Sequence, residues 1–149
     1  VGSALLNNTL LCLAILIIFS LLGYFPTMAV LWLPLLSVLV TIMALGIGIF
    51  LGVLNVFVRD ISQIVPILMQ VWFWFTPIVY PESIIPAKYL PWLAMNPMTP
   101  VINAYHNVLV YGVSPQIDAL IIPLFVSFLT LFAGLLLFRR ANMEMVDAL

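Results

Sequence analysis

The chain has 149 residues, 66% of them hydrophobic and 6% charged, with a formal net charge of -1. Soluble domains are roughly 45–50% apolar and 25% charged, so this composition, with a mean hydropathy of +1.31, specifies an integral membrane protein. No basic patch is present to neutralise phosphates, which excludes nucleic acid as a partner.

The chain opens on Val1 with no basic segment or small-residue cleavage site ahead of the first apolar run, which predicts a piece of a longer protein. The first span is expected over residues 9–25. It holds the single cysteine, Cys12, which has no internal disulfide partner and reads as a packed small hydrophobe. A short turn at Pro26 and Thr27 leads into a second span over 29–58. At 1.5 Å per residue that length exceeds the hydrocarbon thickness, so the span must tilt, kink at Pro34, or both. Ala44, Gly48 and Gly52 recur on it every four residues, and small residues on one stripe let helix backbones approach closely. The stripe predicts packing against another span of the same bundle or across a subunit interface, with the Asn55 amide bonding across that contact.

Arg59 and Asp60 form a tight charged turn between two long apolar runs, flanked by Asn55 and Gln63. A third span is expected over 61–80, near the minimum needed to cross a bilayer core of about 30 Å. Thr76, Pro77 and Pro81 mark a kink and an exit at its far end, and the Thr76 hydroxyl is placed to satisfy a carbonyl that Pro77 leaves unpaired. Just before them stand Trp72, Phe73, Trp74 and Phe75, with Tyr80 beyond. Aromatic faces suit the C–H faces of sugars as well as lipid and helix packing, and four consecutive residues point all round a helix.

Residues 82–116 are too apolar to be solvated on all sides and too proline-rich for one helix. Two short re-entrant or interfacial helices are expected, over 86–95 and 100–111, joined at Asn96 and Pro97. Thr99 would be the N-cap of the second, Pro100 its first residue and Gly112 its stop. Joints at Asn96 and Gly112 suggest a gate, with Tyr105 and His106 on its second helix facing either a pore or the headgroups. A last span over 117–138 ends at Arg139 and Arg140, followed by a short polar tail. Arg59, Arg139 and Arg140 against Lys88 put the charged turn and the C-terminus in the cytoplasm.

None of the expected spans carries a charge in its middle, so the usual proton or ion relay of a coupled carrier is missing. No G-x-x-x-x-G-K-[ST] phosphate loop occurs, so ATP would have to be bound by a partner. His106 has no nucleophile partner at a readable spacing, and the acidic residues are scattered. No catalytic or metal constellation results, and the chain reads as a non-enzyme.

The stretch NVFVRDISQIVPILMQVWFWFTPIVYP, with NPMTPVINAYHNVLVYG and the FRRANMEMVDAL tail, resembles the C-terminal part of the permeases of ABC exporters for O-antigen, capsule and teichoic-acid chains. The resemblance implies an all-α fold giving four transmembrane helices of a six-span permease, with 82–116 capping the outer end of a channel. It further implies a homodimer in the bacterial inner membrane and two ATP-binding cassette subunits that hold ATP and Mg²⁺. The implied cargo is a lipid-linked polysaccharide moved out of the cytoplasm. His106 stands where related sequences commonly have Arg, and Asn142 and Met145 depart from the usual tail, which bears on which glycan is carried. The competing readings are a permease of similar architecture for a drug or lipid, and a non-transport scaffold held by its GxxxG.

Overall fold

The computed structural model of the chain describes residues 2–23, 28–80 and 82–146, with the side chains of 4, 83 and 142–146 left aside. The turn expected at Pro26 and Thr27 and the exit at Pro81 lie outside the described residues. Six α-helices and three 3-10 turns make up the described part, and no strand occurs among these residues.

Helix α1 spans Gly2–Leu21. A 3-10 turn at Met28–Leu31 leads into α2, Trp32–Phe57, and together they form one apolar stretch of 30 residues, long enough to cross a membrane. No kink is required at Pro34. It sits in the first turn of α2, where a backbone N–H would have no intrahelical partner in any case.

Helix α3, Ile61–Phe75, is shorter than the span expected to reach residue 80. Pro77 is the cause: a residue before proline is pushed out of the helical region, and Thr76 sits at φ -104, ψ 132. Its 15 residues reach about 22 Å. Pro66 lies inside it without ending it.

After 3-10 turns at Glu82–Ile84 and Ala87–Tyr89 come α4, Leu90–Ala94, and α5, Met98–Leu109. The second of these starts earlier than expected. Its N-cap is Pro97, and Thr99 is inside the first turn rather than capping it. The capping oxygen belongs to Asn96, whose Oδ1 accepts the Met98 N–H at 3.0 Å while its carbonyl takes the Thr99 N–H at 3.1 Å. At the other end Gly112, at φ +63, turns the chain so that the Val113 N–H reaches back to the Asn107 carbonyl at 2.9 Å.

Helix α6, Ile117–Val146, continues through Arg139 and Arg140 where a polar tail was expected. Its 25 residues Ile117–Ala141 are the second stretch long and apolar enough to span. Pro123 lies inside the helix. Ser127, fully buried one turn later, donates to the Pro123 carbonyl at 2.7 Å.

The largest helix pairing is α2 with α6. Buried Leu36, Leu39, Met43 and Gly46 line the inner face of α2 at steps of three and four, with Val53 a further seven residues on, the spacing of a helix–helix seam. At Gly46 the backbones nearly touch: a Cβ there would fall 2.7 Å from Thr130 Oγ1 and closer still to the Leu131 backbone. Facing it, a Cβ on Gly134 would meet the Gly46 carbonyl at 2.9 Å and the Phe50 N at 3.3 Å. These pairings advance together along both helices, so α2 and α6 run parallel. Their C-terminal ends, with Arg59 after one and Arg139 on the other, therefore lie at the same end. Helix α3 carries the chain back between them.

The small-residue stripe does not make this contact. Ala44, Gly48 and Gly52 are on the exposed side of α2, and a Cβ added at Gly48 or Gly52 would meet nothing within 4 Å. Packing inside the chain thus runs through a glycine two residues before the one expected. A Gly46→Ala variant should lower thermal stability in detergent by about 1–3 kcal/mol, because the added methyl forces the two backbones apart. Gly48→Ala should match the unchanged chain or exceed it, since alanine is the better helix former.

Candidate functional site

Four sets of side chains stand out once the helices are placed. At the charged turn, Arg59 and Asp60 are exposed, and Asp60 precedes α3 without a side-chain capping bond. That task falls to Asn55. Its Oδ1 reaches across the turn and accepts the Ser62 N–H at 3.0 Å, while the Ser62 hydroxyl donates to the Arg59 carbonyl at 2.9 Å. Asn55 was expected to bond across the glycine stripe; it instead ties the end of α2 to the start of α3. Gln63 is exposed beside it, its N–H bonded to the Asp60 carbonyl.

At the far end of α3 the aromatics divide. Trp74, 63% exposed, points away from the bundle, and Phe73 meets it edge to face at 5.8 Å between ring centres. Phe75 is exposed. Tyr80 folds back and donates its hydroxyl to the Trp74 carbonyl at 2.9 Å. Trp72 turns inward and donates Nε1–H to Asn96 Oδ1 at 2.9 Å. Asn96, 5% exposed, then donates Nδ2–H to Thr76 Oγ1 at 2.8 Å. The Thr76 hydroxyl donates to the Trp72 carbonyl at 2.8 Å, and its N–H takes the Phe73 carbonyl at 3.2 Å. Two of the carbonyls left at the end of α3 are thereby satisfied by one threonine, and Tyr80 serves a third. Asn96, expected to be a mobile joint, is a buried node clamping the start of α5 to the end of α3, and Pro97 stands beside it as the α5 cap.

A second polar cluster joins α1, α2 and α5. Asn8 Nδ2 donates to Ser37 Oγ at 3.0 Å, and the Ser37 hydroxyl lies 3.1 Å from that of Tyr105. Burial holds the Tyr105 phenol above its ordinary pKa, which the Ser37 hydrogen bond partly offsets. Tyr105 thus faces the helix bundle. Sequence reasoning missed this cluster, although isolated Asn8 and Ser37 inside apolar runs were its signal, since polar groups in lipid seek one another.

Two clefts flank α5. One, about 460 Å³, is apolar and lies between α2 and α3, with Met43, Gly48, Met69, Phe73 and Ile102 among its walls. The other, about 780 Å³, lies between α4, α5 and the beginning of α6 and is lined by polar groups that include Glu82 and His106. His106 and Tyr105, neighbours in sequence, therefore face different surroundings. No grouping of His, Cys, Asp or Glu among the described residues could hold a metal ion.

The architecture is that of a helical membrane protein with an apolar and a polar cleft. Residues 1–110 match the ABC-2 type transporter family, and the chain belongs to it. It is similar to the O-antigen export system permease protein RfbA of Myxococcus xanthus, 29% identical over 130 residues, covering 85% of this chain and 50% of that protein. A Klebsiella pneumoniae protein of the same name is 27% identical over 128 residues, covering 85% and 49% respectively. The chain spans about half the length of the curated relatives it matches.

The Asn96 node makes a graded prediction. Asn96→Leu strands the Trp72 indole N–H and the Met98 N–H, each buried donor costing about 1–3 kcal/mol. Trp72→Phe removes one partner and should cost about 0.5–1.5 kcal/mol. Amide exchange at the start of α5 should therefore accelerate strongly in the first variant and mildly in the second; equal rates in both would remove Asn96 from its role as the clamp.

Proposed function

We propose that the chain contributes four of the six spans of the permease subunit in an ATP-driven exporter of lipid-linked, O-antigen-like polysaccharide. The reading is carried by the similarity to O-antigen export permeases over 85% of the chain. In this reading α1, α2, α3 and α6 cross the bacterial inner membrane. Parallel α2 and α6 with Arg59 and Arg139 at one end support a cytoplasmic charged turn. Residues 82–116 form the outer gate and move as a unit hinged at Gly112, because Asn96 is tied down.

ATP and Mg²⁺ belong to a separate ATP-binding cassette subunit, and the permease works as a homodimer. Arg59 and Asp60 brace the span junction near the ATPase, and Trp74 and Phe75 offer ring faces to a passing sugar chain. The apolar cleft favours a second reading, a permease for a lipid or hydrophobic drug. A lipid-linked glycan would use the same cleft for its tail. Membership of a transporter family leaves the scaffold reading without support.

Deleting the gene for the full-length permease should abolish surface polysaccharide while lipid-linked polymer accumulates inside the cell. Normal surface glycan together with altered lipid or drug efflux would transfer the assignment to the second reading. In the complementing gene, Arg59→Glu should insert normally and lose export. Unchanged export would reduce Arg59 to a topological anchor.

A further inference from the structure

We infer that the polar cleft between α4, α5 and the start of α6 is a saccharide subsite selective for neutral sugars over anionic ones. Its volume, about 780 Å³, falls in the roughly 300–1,000 Å³ range of small-ligand sites. The inference deepens the export reading and rests on it for the presence of sugar at this face.

The lining supplies what a sugar ring needs. Glu82, Asn103, His106, Asn107 and Gln116 offer acceptors and donors suited to hydroxyl groups. Asn103 Nδ2 donates to Glu82 Oε1 at 2.8 Å, which fixes the carboxylate against α5 and draws the 82–84 turn over the cleft. Leu93, Ala104 and Ile122 give an apolar floor for C–H faces, and Tyr111, 68% exposed, supplies an aromatic ring.

Selectivity follows from charge. Among the described residues lining the cleft there is no lysine or arginine to pair with an acidic sugar or a phosphate, and the Glu82 carboxylate would repel one. A ring bearing hydroxyl or acetamido groups meets matched partners instead.

The test uses the full-length permease with its ATPase partner in lipid nanodiscs. Binding of the neutral tetrasaccharide of β-1,4-linked N-acetylglucosamine is followed by saturation-transfer NMR, with tetragalacturonate as the anionic probe. The neutral probe should bind and the anionic one should not. Glu82→Gln and Asn103→Ala should each weaken neutral binding about tenfold, the loss of one hydrogen bond to a charged group. If either variant melts early, Asn107→Ala and Gln116→Ala, on the cleft wall outside the Glu82–Asn103 pair, take its place with the same expectation. Equal binding of the two tetrasaccharides, or neutral binding indifferent to all four substitutions, would overturn the subsite. Glycan export by the intact gene with no probe bound defeats the subsite and leaves the export reading standing. Glu82-dependent binding by a permease whose deletion leaves surface glycan unchanged supports the subsite and defeats the export reading.

Discussion

The close approach of α2 and α6 at Gly46 and Gly134 is the contact on which the rest of the arrangement depends. Two neighbouring helices that run parallel cannot be joined by a short turn; the chain must return to the starting end between them. Here the return is made by α3, and the segment from Thr76 to Gln116 must then bridge from α3 to α6 on one side of the bundle. Its helix α5 packs Val101, Ala104 and Val108 against Leu33, Leu36, Leu39 and Leu120, which covers the N-terminal end of the α2–α6 pair. Without the glycine contact that seam would open, and the floor on which α5 rests would go with it.

Prolines shape the remainder, and hydroxyl groups compensate for them. In lipid, a carbonyl deprived of its amide partner has no water to turn to, so each break needs a local donor. Thr76 answers this beside Pro77, its N–H going to the Phe73 carbonyl and its hydroxyl to that of Trp72. Pro34 needs no such help because it sits where no N–H was required. The same residue type therefore ends one helix, is absorbed by another and merely starts a third. Position relative to the first turn explains Pro34, the mildest of these.

Much of this was legible in the sequence. Composition forced an integral membrane protein, and the apolar runs fixed α2 and α6 to within a few residues at most of their ends. The interruptions at Arg59-Asp60 and at the proline-rich segment separated the elements correctly. What could not be read was the facing of each helix. Gly48 and Gly52 form the conspicuous motif, yet Gly46 makes the contact, because its face also carries Leu36, Leu39, Met43 and Val53, whose seam spacing was the better guide. Likewise Thr99-Pro100 has the look of a helix start, while Asn96 does the capping. An asparagine side chain reaches two residues on and binds Trp72 and Thr76 as well, a tertiary choice that local preference does not contain.

The facing of α5 is what joins fold to function. Met98 and Ile102, four residues apart, line the apolar cleft toward α3, whereas Asn103, His106 and Asn107 line the polar cleft toward α6. The intervening stripe of Val101, Ala104 and Val108 is buried against the helix pair. One twelve-residue helix thus divides an apolar cleft from a polar one. An amphiphile with an apolar tail and a sugar head would find matching surfaces on opposite sides of it. Asn96 ties the start of this divider to the end of α3, and Gly112, at positive φ, turns the chain from it toward α6.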